Sequence, residues 1–198
     1  AGLAQKTWLV RHEATEGAST PMYSMHQVVR EAVKGQQKID ESTHNGLIDV
    51  CAEALKQNTN NYILAVAAQI IPFATAIFEE IHDENEPLVF LSDAIGNYYM
   101  KTAAYSPAMQ WLKKVATLAE KVFGIEHQNT ATTYNNIAFI YDSQGDYAIA
   151  FEWYFKALTI REKVLGKEHP DTATSYDNIA GVYYSQGDNQ KALEWYFK

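Results

Sequence analysis

The sequence predicts a mainly α protein in which helical hairpins stack into an α-α superhelix. The first observation behind this prediction is an internal repeat. Residues 129–156 (NTATTYNNIAFIYDSQGDYAIAFEWYFK) and 171–198 (DTATSYDNIAGVYYSQGDNQKALEWYFK) are nearly the same at an offset of 42 residues. The second observation is that apolar residues inside each copy recur at helical rather than alternating spacing. One such unit cannot bury its apolar face alone, so it must stack on its neighbours.

The first helix of the middle unit, residues 129–170, carries an apolar stripe at helical spacing that marks its buried side: Tyr134, Ile137, Ala138 and Tyr141. The stripe ends at a Ser-Gln-Gly-Asp turn. Gly145 can adopt the left-handed conformation that ends a helix, and Asp146 can cap the next helix. The sequence therefore predicts a tight turn between two helices here.

The second helix of this unit continues the apolar stripe through five positions: Ala150, Trp153, Tyr154, Ala157 and Ile160. Gly166 is expected to end it. Pro170 and Asp171 suit the first turn of the following helix, one through its fixed φ and the other through its charge at the helix N-terminus. Because His127 and His169 recur in equivalent loops, we expect structural roles for them rather than ligand roles.

A weaker third copy lies upstream. Eight residues match the middle unit at the same offset of 42: Ile95, Tyr99, Ala108, Trp111, Glu120, Val122, Gly124 and His127. The Gly-Asp pair is replaced by Ala103 and Ala104, so the turn is predicted to be lost, and Ser106-Pro107 is expected to open the second helix. Trp111, Trp153 and Trp195 recur with the repeat, which favours core packing over a stacking platform.

The pattern of Ile, Ala and Tyr followed by Gly, Ala, an aromatic residue and Ala resembles the tetratricopeptide repeat. The 42-residue unit resembles the form found in kinesin light chains and related proteins. The resemblance implies a tetratricopeptide solenoid over residues 87–198, of about two and a half units. It also places Ala138, Ala150 and Ala157 where the helices approach closely. HEAT repeats lack this turn and alanine pattern, and WD40 blades need strands.

Residues 37–86 are predicted to be a helical connector. The stretch 62–81 is long and apolar, and Pro72 inside it is expected to kink or interrupt a helix. The acidic residues between Glu79 and Glu86 lack tight ligand spacing, so they indicate a solvated helix end rather than a metal site.

Residues 1–36 have a different pattern, with two short strand-like segments followed by an amphipathic helix. The segment MYSMHQVVREAV (22–33) resembles the end of the winged-helix domain in NB-ARC signalling NTPases of the STAND class. In that family a Met-His-Asp-like motif places its His near the β-phosphate of ADP, and here Met25 and His26 match it while Gln27 replaces the Asp. The segment AAQIIPFATAIFEE (67–80) resembles the helix that leads into their repeats. The alternative for His26 is a structural residue at a helix start.

No G-x-x-x-x-G-K-[ST] phosphate loop is present, and no catalytic or metal-binding constellation was found, so no enzyme activity and no cofactor are predicted. A net charge of −8 argues against nucleic acid and anionic membranes as partners. The single cysteine, Cys51, fits a reducing compartment such as the cytoplasm. Because the chain has no initiating Met and ends within a repeat unit, it is expected to belong to a longer protein.

In tetratricopeptide arrays, which the repeat resembles, the first helix of each unit lines the concave surface, so the resemblance implies a protein- or peptide-binding surface there, offset from the packing stripe. The predicted contact residues are Thr132, Asn135, Asn136, Phe139, Asp142, Thr174, Asp177, Asn178, Gly181 and Tyr184, with Asp93, Asn97 and Lys101 from the upstream copy. Side-chain amides can donate to and accept from an extended peptide backbone. In kinesin light chains, which the repeat resembles, similar asparagines hold cargo peptides. The alternative is that these amides bond to the neighbouring repeat.

The prediction is therefore a protein-interaction scaffold or the ligand-sensing arm of a signalling NTPase. A cargo adaptor without an NTPase link and a self-associating structural array are the alternatives. The scarcity of lysine and arginine at the predicted contact positions argues against a clamp for C-terminal carboxylates.

Overall fold

A computed structural model describes residues 49, 51–52, 61–80 and 84–198 of the 198-residue chain. These residues form seven helices with more than a few residues each: α1 (Asn61–Glu80), α2 (Glu86–Lys101), α3 (Tyr105–Val122), α4 (Gln128–Ser143), α5 (Tyr147–Val164), α6 (Pro170–Ser185) and α7 (Asn189–Tyr196). The hairpin predicted within residues 1–36, and His26 with it, lies outside the described residues. Among these helices none is long and apolar enough to cross a bilayer.

Helix α1 runs without a break through Pro72, so this residue does not interrupt the helix, while the kink expected as the other outcome stays a prediction. A prolyl ring removes one backbone hydrogen bond and crowds the carbonyl four residues earlier. Burial of the opposite side of α1 offsets this cost, since Ile70 and Ala74 pack against Leu91 and Ile95 of α2 in one core cluster. Pro72 itself is exposed.

The remaining helices form three antiparallel hairpins, α2 with α3, α4 with α5, and α6 with α7. Each hairpin packs on the next through α3 with α4 and α5 with α6. The cores are local, so that Tyr134 and Ile137 lie in a cluster with Leu112, whereas Tyr154 lies in the next cluster with Ile179. This arrangement confirms the predicted helical solenoid, in which each unit is stabilised mainly by its neighbours.

The predicted close approach of helices at alanine positions is confirmed. Ala138, Ala150 and Ala157 are fully buried. Gly96 stands where the middle unit has Ala138, and a Cβ built there would lie 3.3 Å from Leu112 Cδ2. Small residues at this position therefore let the two helices of a hairpin come together.

The turn inside each hairpin has the same geometry in all three units, so the prediction that the upstream copy loses it was wrong. Gly145 has φ of 81° and Ala103, at the equivalent position, has φ of 55°. The next amide closes the turn in both, from Asp146 N to Tyr141 O and from Ala104 N to Tyr99 O, each at 2.9 Å. Because backbone hydrogen bonds and packing fix the turn, an alanine is held in a left-handed conformation there.

The residues after these turns depart from the sequence prediction in two details. Asp146 lies at the start of α5 but its side chain makes no capping hydrogen bond. The equivalent Asp188 does cap α7, since its Oδ1 accepts from Lys191 N at 3.1 Å. Helix α3 begins at Tyr105, one residue before the predicted Ser106-Pro107 start.

The loops between hairpins confirm structural roles for the two recurring histidines. The Nδ1 atoms of His127 and His169 accept from the backbone N–H groups of Asn129 and Asp171, each at 3.1 Å, and so cap α4 and α6. Gly166 adopts a φ of 88° at the end of α5, as predicted. Pro170 is the first residue of α6.

The recurring tryptophans lie on the second helices, where each is covered by a lysine three residues later. Trp111 is buried, with its ring 4.9 Å from Phe78 in an edge-to-face contact. Trp153 and Trp195 are half-buried and contact Tyr134 and Tyr176, respectively. The prediction that they serve packing is therefore confirmed.

Candidate protein-binding surface

Helices α2, α4 and α6, the first helices of the three hairpins, lie side by side. Helix α4 contacts α6 directly, although α5 lies between them in the chain. A hydrogen bond between Asn97 and Asn136 joins α2 to α4. We call their outward stripe the first-helix face: Asp93, Asn97, Lys101, Thr132, Asn135, Asn136, Phe139, Asp142, Thr174, Asp177, Asn178, Gly181 and Tyr184.

The structure places all of these residues at exposed or half-buried positions. Phe139 is 42% exposed and Tyr184 is 66% exposed, which is unusual for large rings on helices whose other large apolar side chains are buried or half-buried. Lys101, Thr132, Thr174 and Asp177 are also exposed, and the other members are half-buried. The structure thus presents the predicted residues on one face, and their role in binding stays a prediction.

The asparagines of this face bond to one another across neighbouring units. Asn178 Nδ2 donates to Asn135 Oδ1 at 2.8 Å, which ties α6 to α4. Asn136 Nδ2 donates to Asn97 Oδ1 at 3.4 Å, and Asn97 Nδ2 donates to Asp93 Oδ2 at 2.8 Å. The alternative considered from the sequence, bonding to the next repeat, is therefore observed. Each amide still has hydrogen-bonding capacity beyond these bonds.

The threonines of the face also make bonds within the protein. Thr132 Oγ1 donates to Gln128 O at 3.0 Å, and Thr174 Oγ1 donates to Pro170 O at 3.0 Å. Both acceptors lie one turn earlier in the same helix, so each hydroxyl already donates a hydrogen bond within the protein.

Arg161 holds α4, α5 and α6 together beside this face, and the sequence analysis did not single it out. The residue is 5% exposed, and its guanidinium donates to Asp171 O at 2.9 Å, to Ser175 Oγ at 2.8 Å and to Thr132 Oγ1 at 3.3 Å. Burial lowers the pKa of Arg161, and the nearby Asp171 partly counters this. The sequence contains one sign of this role, since Arg161 departs from the repeat pattern: the equivalent residue of the upstream unit is Ala119.

Charge is distributed unequally between the two sets of helices. The first helices carry five acidic residues and one basic residue: Glu86, Asp93, Asp142, Asp171 and Asp177 against Lys101. The second helices carry seven basic and four acidic residues: Lys113, Lys114, Lys121, Lys156, Arg161, Lys163 and Lys191 against Glu120, Glu152, Glu162 and Glu194. The first helices are therefore predominantly acidic, and the first-helix face itself carries Asp93, Asp142 and Asp177 against Lys101.

Asp142 is a half-buried carboxyl group of the face. Partial burial near the end of α4 raises its pKa above the ordinary value. Its charge also contributes to raising the pKa of the buried Tyr154, after burial itself. The protein therefore keeps a carboxylate where desolvation disfavours its charge.

The described part of the chain contains neither a metal-binding cluster nor an activated thiol. It contains no cluster of three or more metal-binding side chains. Burial raises the pKa of Cys51 to about 11, so its thiol is protonated near neutral pH. The arrangement suits non-covalent recognition by shape, hydrogen bonds and charge.

Comparison with protein families matches the part of the chain that contains the repeats. Residues 88–163 and 143–196 match the family model of the tetratricopeptide repeat. No curated protein sequence matches the chain significantly.

Several solved structures share the fold. BtubC (BKLC) from P. vanneervenii has a TM-score of 0.68 at 18% identity, over 88% of this chain and 68% of that protein. The putative kinesin light chain repeats from Podosopora anserina have a TM-score of 0.63 at 18% identity, over 98% of this chain and 90% of that one. A Rap protein complexed with competence and sporulation factor has a TM-score of 0.59 at 13% identity, over 98% of this chain and 48% of that protein. At these identities the likeness is one of fold.

Proposed function

Because the chain belongs to the tetratricopeptide repeat family, we propose that it is a protein-interaction scaffold that holds a peptide or protein partner on the first-helix face. The fold is consistent with such a role, since stacked helical hairpins present long continuous surfaces. The Rap protein, which shares the fold, was solved in complex with competence and sporulation factor. No enzyme activity is part of this proposal.

The observation that carries the proposal is the pair of exposed rings on helices whose other large apolar side chains are buried or half-buried. Phe139 and Tyr184 lie on adjacent helices and expose 42% and 66% of their surfaces. Aromatic residues are enriched at the energetically important centres of interfaces. The asparagine bonds hold these two helices in register, so the surface is formed before a partner arrives.

A selection from a random peptide library displayed on phage, with the 198-residue chain immobilised, tests this function. A selected peptide should bind the wild-type chain in calorimetry and lose at least tenfold in affinity to a Phe139→Ser, Tyr184→Ser variant, because interface aromatic residues contribute about 1–3 kcal/mol each. Thermal unfolding should change little, since both rings are exposed.

The matched control replaces two apolar side chains exposed on the second helices, Ile149→Ser with Tyr196→Ser. These side chains are 39% and 50% exposed. The control should bind the selected peptide as the wild type does. Equal losses in both variants, or failure to select any peptide, would contradict binding on the first-helix face.

A more specific form of the proposal makes the repeats the sensing arm of a signalling NTPase. It is supported by the resemblance of residues 22–33 and 67–80 to the corresponding segments of NB-ARC proteins. Residues 67–80 lie within α1, which packs on α2 and so leads into the repeats. A ligand on the arm would shift the nucleotide switch only if it bound the two states with different affinities.

The reading frame that encodes this chain tests the NTPase link. A phosphate loop of the form G-x-x-x-x-G-K-[ST] upstream of Ala1 would support it, and its absence would leave the adaptor form of the proposal. A cytoplasmic location belongs to both forms, since a single cysteine suits a reducing compartment.

Self-association is the second candidate, and α7 favours it. Leu193, Tyr196 and Phe197 expose 56%, 50% and 86% of their surfaces. Light scattering over a hundredfold range of concentration should show a rising mass if this surface joins copies of the chain. A constant monomer mass would remove this candidate.

A further inference from the structure

We infer that the partner of the first-helix face is a basic peptide in extended conformation. Its lysine or arginine side chains would lie against Asp142 and Asp177, and one apolar side chain would lie above Gly181. This inference rests on the proposed function and adds the chemistry of the partner.

The segregation of charge is the first argument. Lys101 is the only basic residue on the three first helices, whereas acidic residues lie on all three. The basic residues of the hairpins are concentrated on the second helices. Because complementary charge guides encounter and excludes wrong partners, an acidic face selects a basic ligand over an acidic one.

The two carboxylates named above are available to a ligand. Within the part of the chain that the structure describes, neither Asp142 nor Asp177 takes part in an ion pair. Asp177 is exposed and Asp142 is half-buried. A cation placed beside Asp142 would offset the unfavourable burial of its charge, which solvent alone does not do.

The surface between the carboxylates has room for an apolar side chain. The bond between Asn135 and Asn178 sets α4 beside α6 at one level. One helical turn further along, Phe139 follows on α4 and Gly181 follows on α6, with Tyr184 one turn beyond. A Cβ built on Gly181 would meet no atom within 4 Å. The middle unit has Phe139 at the position equivalent to Gly181, so α6 has no side chain here and leaves open space, the gap that the apolar side chain of the peptide would fill.

Extended backbone suits this surface better than a helix. The remaining hydrogen-bonding groups of Asn135 and Asn178 can bond to a peptide backbone only where that backbone is not already paired within itself, as it is in a helix. Alternate side chains of an extended peptide point to opposite sides, which places every second residue against the face.

The peptide selection described above also tests this inference, provided that acidic and basic residues occur at equal frequency in the random library. Selected sequences should be enriched in lysine and arginine and depleted in aspartate and glutamate. An Asp142→Asn, Asp177→Asn variant should bind a selected peptide about tenfold more weakly, and the difference should shrink as salt is raised. The matched control, Glu152→Gln with Glu194→Gln, removes two exposed charges from the second helices and should leave affinity unchanged.

A third variant tests the gap independently of charge. Gly181→Phe restores the residue found at the equivalent position 139, and open space surrounds the site. The melting temperature should not fall, because glycine inside a helix is replaced. Affinity for the selected peptide should fall at least fivefold.

Two results separate this inference from the proposed function. Peptides that bind through Phe139 and Tyr184 but carry no excess of basic residues, and that tolerate Asp142→Asn with Asp177→Asn, would overturn the basic-ligand inference and leave the scaffold function standing. Selected peptides that are acidic would do the same. Failure to select any peptide would overturn both.

Discussion

At the scale of single residues, Ala103 shows how packing imposes a backbone conformation that the side chain disfavours. It has φ of 55° in a turn where the other two units have glycine. A left-handed conformation costs a non-glycine residue about 1–2 kcal/mol. Ala103→Gly should therefore raise the free energy of unfolding by about 1 kcal/mol, as measured by urea denaturation.

Gly145→Ala is the matched reverse change. A Cβ at Gly145 would meet no atom within 4 Å, so only the backbone conformation is tested. We expect a loss of about 1 kcal/mol. An unchanged midpoint for both variants would show that these turns do not carry the strain that their φ angles indicate.

A second prediction at this scale concerns Asp142. Because burial raises its pKa, the folded protein binds a proton there more tightly than the unfolded chain does. Ionisation of Asp142 therefore lowers stability as pH rises from the unfolded pKa through the folded pKa. Asp142→Asn should raise the melting temperature at pH 7, and this gain should vanish near pH 3, since the wild-type group is then neutral (about 3.9 for a free Asp). A lower melting temperature for the variant at pH 7 would contradict a desolvated carboxylate.

At the scale of helices, two tyrosine–glutamate bonds join α4 and α6 to the second helix of the preceding unit, one bond for each. Tyr134 donates to Glu120 Oε1 at 2.7 Å, and Tyr176 donates to the equivalent Glu162. Burial, followed by the bond to Glu162, raises the pKa of Tyr176 to about 12, so the phenol keeps its proton well above neutral pH. The bonds recur at the 42-residue period and connect α3 to α4 and α5 to α6.

Tyr134→Phe should lower the free energy of unfolding by about 1.5 kcal/mol, because a hydrogen bond to a charged acceptor is lost and Glu120 keeps its desolvation cost. Chemical denaturation measures this loss, and a double-mutant cycle with Glu120→Gln should show coupling between the two sites. Tyr184→Phe is the control, since Tyr184 is exposed, and it should stay within about 0.5 kcal/mol of the wild type. Equal effects at Tyr134 and Tyr184 would argue against a stabilising hydrogen bond between Tyr134 and Glu120.

The helices also show which structural features could be predicted from the sequence. The 42-residue period predicted the hairpins, the glycine turns and the histidine loops, because the same residues recur where the same geometry is needed. It did not predict the turn at Ala103, since alanine carries no sign of a positive φ. The interruption considered at Pro72 does not occur, because burial of the opposite helix side offsets the local cost of the ring, and the kink considered beside it stays a prediction.

Part of the candidate site could also be predicted, because residue spacing shows which side chains share a helix face. Helical spacing placed Asn135 and Asn178 on the same face as Phe139. It could not give the lateral distance between α4 and α6, which decides whether the amides bond to each other or await a partner. Arg161 was missed because its role depends on three helices that meet only in the folded chain.

At the scale of the whole molecule, most basic residues of the hairpin helices lie on the second helices, so the first helices are predominantly acidic. The chain has a net charge of −8, and five of its acidic residues lie on the first helices. Like charges that share a face repel one another, and salt screens this repulsion over about 10 Å at 0.1 M. The melting temperature should therefore rise between 10 mM and 300 mM sodium chloride. A fall would mean that exposed ion pairs such as Lys163–Glu126 outweigh the repulsion.

The central claim is that a partner binds the first-helix face, and site-specific photo-crosslinking tests it most directly. A photoreactive benzoylphenylalanine would be placed at position 139 on α4 or, in a separate protein, at position 149 on α5, and each protein would be irradiated with a selected peptide. We predict efficient crosslinking from position 139 and background yield from position 149. Efficient crosslinking from position 149 with none from position 139 would contradict the claim.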